Sequence, residues 1–153
     1  TDLLVTWLSP SKDCRCPITF EIANALTKLY DRYDFIIFDC EYDLKYLIQL
    51  VDYPIDTTVV IANPTEESIA IATRIMEASE KYAAEGQLGL VLNKIKDGIP
   101  ENISVKLNEK DIKILGIIPY DETLEMNGMQ KTSKIVNKAV NDTILRLNLP
   151  IME

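Results

Sequence analysis

Five short apolar runs, separated by stretches with helical spacing, constrain the fold of this chain more than any other feature. They cover residues 3–8, 35–38, 58–62, 88–92 and 112–118. Regular alternation of strands and helices is typical of a parallel sheet with helices on both faces. Because 153 residues is the length of one ordinary domain, we predict a single three-layer α/β domain over residues 1–153, with a mostly parallel sheet.

The second run places an acidic residue where ligands bind in such folds. Residues 35–38 are apolar without alternation, which predicts a strand buried on both faces. Asp39 follows directly, and ligands of open α/β sheets bind beyond the carboxyl ends of the strands. Asp39 is therefore a candidate site residue, although a carboxylate here also serves to cap a helix or line a turn.

Helix signals fill the intervals between the runs. Pro17 suits the first turn of a helix, a shorter helix follows Asp43, and Thr65 is placed to cap a third helix that Gly86 ends. Residues 100–110 fit either a short helix or an alternating strand. The last helix is expected over residues 132–147.

Charge and composition limit the partners. The formal net charge of -8 disfavours nucleic acid and anionic membrane surfaces. No apolar run approaches membrane-spanning length, so we expect a cytoplasmic protein. The chain opens on Thr1 and enters a strand-like run almost at once, which suggests that it begins partway through a longer protein.

Cys14 and Cys16 form the most distinctive local pattern. Thiolates bind zinc and other soft metals, and a helix N-terminus after Cys16 favours the thiolate form. Two thiolates cannot complete a four-coordinate site, and the chain has no histidine. A two-fold dimer in which each chain donates both cysteines would complete it. Alternatively, the pair consists of two small turn residues without a ligand. Cys40 is expected in the core.

Two further strands end in polar residues. Asn93 and Lys94 follow the fourth run, and an asparagine there can bind the edge of a base or simply form a turn. Residues 120–122 follow the fifth run and have the pattern of a solvated helix start.

Five motifs together resemble the nickel-insertion ATPase of carbon monoxide dehydrogenase maturation, the CooC type. They are CRCP at residues 14–17, YDFIIFD at 33–39, VVIANPT at 59–65 with Ser68, LVLNK at 90–94 and LGIIPYD at 115–121. This family lies within the deviant-Walker P-loop ATPases, together with the septum-site and partition ATPases and the nitrogenase iron protein. The resemblance covers essentially the whole chain, as the C-terminal two-thirds of such an ATPase domain.

The resemblance implies a nucleotide site that holds ATP or ADP with Mg²⁺. Asp39 matches the acidic residue at the end of the Walker B strand, which supports Mg²⁺. Asn93 matches the residue that contacts adenine, with Lys94 packed nearby. Pro119 and Asp121 match the loop that closes over the base.

The resemblance also implies a metal site and its partners. Cys14 and Cys16 match the pair that binds metal, zinc or nickel, across a homodimer interface. A nickel enzyme such as carbon monoxide dehydrogenase is the implied client.

Two departures from the family weaken the expectation of ATP hydrolysis. None of the five glycines lies in a G-K-[ST] context, so the P-loop is absent. Asp43 replaces the glycine that lets the backbone approach the γ-phosphate. A catalytically degenerate dimerisation or regulatory module is therefore the alternative function. A septum- or partition-type ATPase ranks lower, because the C-terminal residues form neither a membrane helix nor a basic surface. Without a P-loop strand, we expect another segment or chain beside residues 35–38.

Overall fold

The computed structural model describes residues 20–30, 32–40, 55–82, 86–127 and 133–147. The chain divides into two compact units, residues 1–38 and 39–153. The described helices and strands are α1 (Phe20–Tyr30), β1 (Thr57–Ala62), α2 (Glu66–Tyr82), β2 (Gln87–Ile95), α3 (Glu101–Glu109), β3 (Ile114–Pro119), α4 (Glu122–Asn127) and α5 (Lys134–Leu145). All except α1 belong to the second unit. The prediction of one domain over residues 1–153 stays a prediction.

The three strands form a parallel sheet in the order β1-β2-β3. Two buried clusters lie against the central strand. Leu90 and Leu92 belong to one cluster, with side chains of α2 and α3, whereas Val91 belongs to the other, with Leu115 and Leu147. Successive side chains of a strand point to opposite faces, so both faces of the sheet are covered. This confirms the predicted α/β fold with helices on both sides of a parallel sheet.

The helix starts follow from local hydrogen bonds. Thr65 Oγ1 accepts from Ser68 N at 3.2 Å, which confirms the predicted cap of α2. At the last helix the cap is Ser133, whose Oγ accepts from Val136 N at 3.2 Å, so α5 begins slightly later than expected. In both helices a side-chain oxygen satisfies a backbone N–H that has no partner within the helix.

The ambiguous stretch 100–110 is a helix. Ile103 and Leu107, four residues apart, are buried, whereas Val105 is 49% exposed. In a strand these three side chains would share one face. In a helix, Ile103 and Leu107 lie on the same face and Val105 lies on another. The observed burial therefore fits the helix α3 and not a strand.

The prediction of a buried strand at residues 35–38 is wrong. These residues are not part of any strand, and Phe35 and Ile37 are 52% and 90% exposed. A strand needs neighbouring N–H and C=O groups, and the described residues form no ladder with this segment. Cys40 is also exposed, so its expected place in the core is wrong. That another segment or chain lies beside residues 35–38 stays a prediction.

Helix α2 is described as far as Tyr82, and residues 83–85 lie outside the described residues, so the predicted end of this helix at Gly86 stays a prediction. Gly86 leads directly into β2, where a Cβ would lie 2.3 Å from the carbonyl oxygen of Ile55. The glycine is needed for this close approach of two backbone segments. The expected strand at 3–8, the short helix after Asp43 and the first turn near Pro17 lie outside the described residues.

Helix α5 packs directly on β3 through one glycine. A Cβ at Gly116 would lie 2.0 Å from Thr143 Oγ1 and 2.8 Å from Thr143 Cβ. Thr143 is buried and its hydroxyl donates to Ala139 O at 2.7 Å. Glycine therefore sets the distance between this helix and the sheet.

We predict that Gly116→Ala lowers the free energy of unfolding by about 1–3 kcal/mol, because the added methyl overpacks this contact. Urea denaturation measures the loss. Adding Thr143→Ala to the same chain should recover part of it, and Thr143→Ala alone is the control. An unchanged midpoint for Gly116→Ala would contradict the close packing.

Candidate functional site

The carboxyl ends of β2 and β3 form the candidate site. Leu92 pairs with Ile117 and Ile95 pairs with Pro119, so β2 advances three residues while β3 advances two. The extra residue makes a bulge at Asn93-Lys94. Asn93 is half-buried and Lys94 is exposed. Bulges re-aim side chains and are common next to active sites.

Lys94 has a φ of 57°, in the left-handed region. For a residue with a side chain this conformation costs about 1–2 kcal/mol. Buried neighbours hold it in place, because Leu92 is 0% and Ile95 is 6% exposed. Strained backbone of this kind concentrates at functional sites.

The loop after β3 is tied back to the end of β2. Tyr120 N donates to Ile95 O at 2.9 Å. Lys96 Nζ lies 4.1 Å from the centroid of the Tyr120 ring, a cation–π contact. Pro119, half-buried, ends β3 beside this pair. The two strand ends therefore form one continuous edge.

Asp121 organises the next turn. Its Oδ1 accepts from Thr123 N at 2.8 Å and from Thr123 Oγ1 at 2.6 Å. Side-chain hydrogen bonding by Ser133, followed by that from Thr123, lowers the pKa of Asp121.

Hydrogen bonds at the starts of α2 and α3 join these two helices. Glu66, in the first turn of α2, accepts from Asn102 Nδ2 at 3.0 Å and pairs with Lys106 at 3.1 Å. The bond from Asn102, followed by the interactions with Lys106, lowers the pKa of Glu66. Asn63 N, just after β1, donates to Ser68 Oγ at 3.0 Å.

The structure brings four of the predicted site residues to one edge. Asn93 and Lys94 lie in the bulge of β2, and Pro119 and Asp121 lie at the end of β3 and just beyond it. Their roles toward a nucleotide stay predictions. Sequence reasoning missed Lys96, whose Nζ lies over the Tyr120 ring, because no local pattern pairs residues so far apart in the sequence.

Asp39 is exposed at the start of the second unit, next to Cys40. Partial burial of its thiol, and then the charge of Asp39, raise the pKa of Cys40. Both effects disfavour the thiolate, which is the form of cysteine that binds metals. Cys14 and Cys16 lie outside the described residues, so the structure does not test the predicted zinc or nickel site.

Within the described ranges, no group of three or more histidine, cysteine, aspartate or glutamate side chains is arranged to hold a metal ion. In the same ranges, none of the helices combines the length and the apolar character needed to cross a membrane.

Two curated relatives are similar to this chain, and both are uncharacterized ATP-binding proteins of Methanocaldococcus jannaschii. One is 25% identical over 124 residues, which cover 80% of this chain and 49% of the relative. The other is 28% identical over 118 residues, which cover 76% of this chain and 45% of the relative. The chain thus spans about half the length of the curated relatives it matches. No protein-family model matches the chain.

Among solved structures, the cell division ATPase MinD of Pyrococcus furiosus has the same fold. The TM-score is 0.57 at 19% identity, over 80% of this chain and 55% of MinD. The chain therefore has the α/β fold of a MinD-type P-loop NTPase. The comparison with MinD shows the fold, and the nickel-insertion branch stays a prediction.

We predict that Asp121→Asn lowers the free energy of unfolding at pH 7, and that this effect disappears as pH falls through the folded pKa of Asp121. Hydrogen bonds hold the folded pKa of Asp121 below its ordinary value. The stabilisation is therefore present above the unfolded-state pKa of about 3.9 and is lost as pH falls through the folded pKa. Urea denaturation across this range measures the difference.

Asp97→Asn, on the exposed loop after β2, is the matched control for removal of one surface charge. If the free energies of unfolding of Asp121→Asn and the wild type differed by the same amount at every pH, the role given to the Asp121 carboxylate would be contradicted.

Proposed function

We propose that this chain provides the base-binding part of an ATP-binding domain of the MinD type. One observation carries the proposal: Asn93, Lys94, Pro119 and Asp121, which the family resemblance assigns to the base, lie together at one edge of the sheet. The names of the two relatives support nucleotide binding.

The chemistry of this edge suits an adenine. The Asn93 side chain has both a donor and an acceptor, as does the edge of the base. It is half-buried, where a hydrogen bond counts for more than in open water. Pro119, also half-buried, offers an apolar ring for the flat face of the base. These groups would hold and orient the nucleotide.

The phosphates need other groups. A triphosphate is held by backbone N–H groups of a glycine-rich turn and a lysine, and residues 1–153 contain no such motif. When bound, Mg²⁺ would neutralise phosphate charge, and Asp39 is the residue proposed to support it. Because the chain spans about half of its relatives, we limit the proposal to the base side.

We predict that Asn93→Ala weakens ADP binding about tenfold, since a lost hydrogen bond in such a site costs roughly 1–2 kcal/mol. Calorimetry on the full natural protein with Mg-ADP measures the affinity. Asn108→Ala is the matched control, because Asn108 is exposed on α3, near its last turn. Equal affinities of Asn93→Ala and the wild type would contradict the proposal.

A non-catalytic dimerisation or regulatory module on the same fold is the second candidate. Asp43 favours it, because a carboxylate would repel the γ-phosphate at a position where the family has glycine. A protein that stays dimeric but gives no heat with Mg-ATP or Mg-ADP would support this module and exclude nucleotide binding.

If the protein binds ATP, we further propose that it is a metal carrier under the control of the nucleotide. It would supply nickel to an enzyme such as carbon monoxide dehydrogenase. The C-x-C pair followed by proline supports this branch. Two chains would supply four thiolates, the ligand number that a closed tetrahedral zinc site needs. The metal would be bound between the subunits of a homodimer.

We predict that Cys14→Ser together with Cys16→Ser removes bound zinc or nickel and weakens the dimer. Metal analysis and sedimentation of protein purified without chelator check both effects. Cys40→Ser is the control, because this exposed thiol is not among the proposed ligands. Unchanged metal content and oligomeric state in the double variant would contradict a metal site shared between the subunits.

A further inference from the structure

Lys96 and Tyr120 come together where β2 and β3 end. Lys96 follows the last residue of β2, and Tyr120 follows the last residue of β3. The Lys96 Nζ lies 4.1 Å from the centroid of the Tyr120 ring, well within the distance of about 6 Å at which an aromatic face attracts a cation. Lys96 is exposed, whereas Tyr120 is half-buried. A charged side chain from one strand end therefore contacts the ring from the other.

The bulge at residues 93–94 decides that this lysine meets the ring. Before the bulge, β2 and β3 pair in a register that, if continued, would bring Lys96 level with Asp121, which has the opposite charge. At the bulge the register shifts by one residue, and Lys96 is level with Tyr120 instead. A one-residue shift changes the neighbour of every side chain that follows. The extra residue in β2 therefore selects a cation–π contact in place of an ion pair.

The main chain fixes Tyr120 at the same point. Tyr120 N donates to Ile95 O at 2.9 Å, which ties the backbone of the loop after β3 to the end of β2. The contact with Lys96, the next residue along β2, ties the ring. Both the backbone and the side chain of Tyr120 are thus held by consecutive residues of one strand end. Pro119 and Asp121 lie on either side of Tyr120 in the sequence, so they are placed along with it.

We infer that Lys96 is a positioning residue of the proposed base site, which holds the loop 119–121 in place through the Tyr120 ring. The inference rests on the proposed function and adds to it a residue to which the family resemblance gives no role. In this role Lys96 does not touch the nucleotide. It keeps the loop ordered before the base arrives, which lowers the entropic cost of binding.

A lysine beside a nucleotide site has another obvious role, which is to pair with a phosphate. The two roles act on different parts of the ligand. A lysine that pairs with a phosphate affects only ligands that carry one, whereas a lysine that positions the base loop affects every ligand that carries the base. Adenosine, which has the base and the ribose but no phosphate, separates the two.

The test measures the affinity of the full natural protein for ADP by calorimetry and for adenosine by amide NMR titration. Lys96→Met removes the charge and keeps a long side chain. We expect it to weaken both ligands by the same factor, about two- to fivefold, which corresponds to one exposed cation–π contact. Lys96→Arg keeps a cation over the ring and should bind both ligands nearly as the wild type does. Lys113→Met is the matched control, because Lys113 is an exposed lysine just before β3, at the opposite edge of the sheet.

A variant of Tyr120 tests whether Lys96 acts through the ring. Tyr120→Leu removes the aromatic ring and keeps an apolar side chain. In that background Lys96→Met should cause no further loss of affinity for either ligand, because the partner of the lysine is already gone.

Three results would overturn the inference and leave the proposed function intact. Unchanged affinities in Lys96→Met, with or without a loss of stability to urea, would mean that the contact does not serve the base site. A loss confined to ADP would mean that Lys96 pairs with a phosphate. An equal loss in the Tyr120→Leu background would mean that Lys96 does not act through the ring. A wild-type protein that binds neither ligand would instead refute the proposed function, and the role of Lys96 with it.

Discussion

Backbone pairing of β2 on both sides is the interaction on which the rest of the described structure depends. Its hydrogen bonds to β1 and β3 hold the three parallel strands together. Its side chains alternate between the two buried clusters, so the same strand anchors the helices on each face. Fully burying a leucine is worth roughly 1.5–3 kcal/mol, and Leu90 and Leu92 are both 0% exposed. The candidate site lies where this well-anchored strand departs from regular pairing.

That departure connects stability with function. The bulge at Asn93-Lys94 places Lys94 in a left-handed backbone conformation. The burial of the residues around it offsets the energetic cost of that conformation. Beyond the bulge, polar groups of the edge are bonded to one another: Tyr120 N to Ile95 O, and Thr123 N to Asp121 Oδ1. A site on such a support needs little rearrangement when a ligand binds, which reduces the entropic cost of binding.

Periodicity predicted the described parts of the fold well. The runs at 58–62, 88–92 and 112–118 became β1, β2 and β3, and the Thr65 cap was correct. These features depend on local spacing and on one side chain near one backbone N–H. Residues 35–38 were different: an unbroken apolar run signals a buried strand only if other strands and helices cover it, and the sequence of the run does not identify its neighbours.

The candidate site was predictable in position but not in its connections. Residues that follow parallel strands meet at one edge, so Asn93 and Pro119 could be placed from the strand order alone. The bulge could not, because it depends on the relative register of β2 and β3. Nor could the bond from Tyr120 N to Ile95 O, because it forms only where the ends of the two strands lie side by side in the folded chain.

Amide NMR of the full natural protein during titration with Mg-ADP tests the central claim most directly. If the base binds at the carboxyl ends of β2 and β3, the largest chemical-shift changes will fall on Asn93, Lys94, Tyr120 and Asp121, while residues 110–113 at the opposite edge will not shift. Saturable changes centred on residues 110–113, or no change at either edge, would contradict the account.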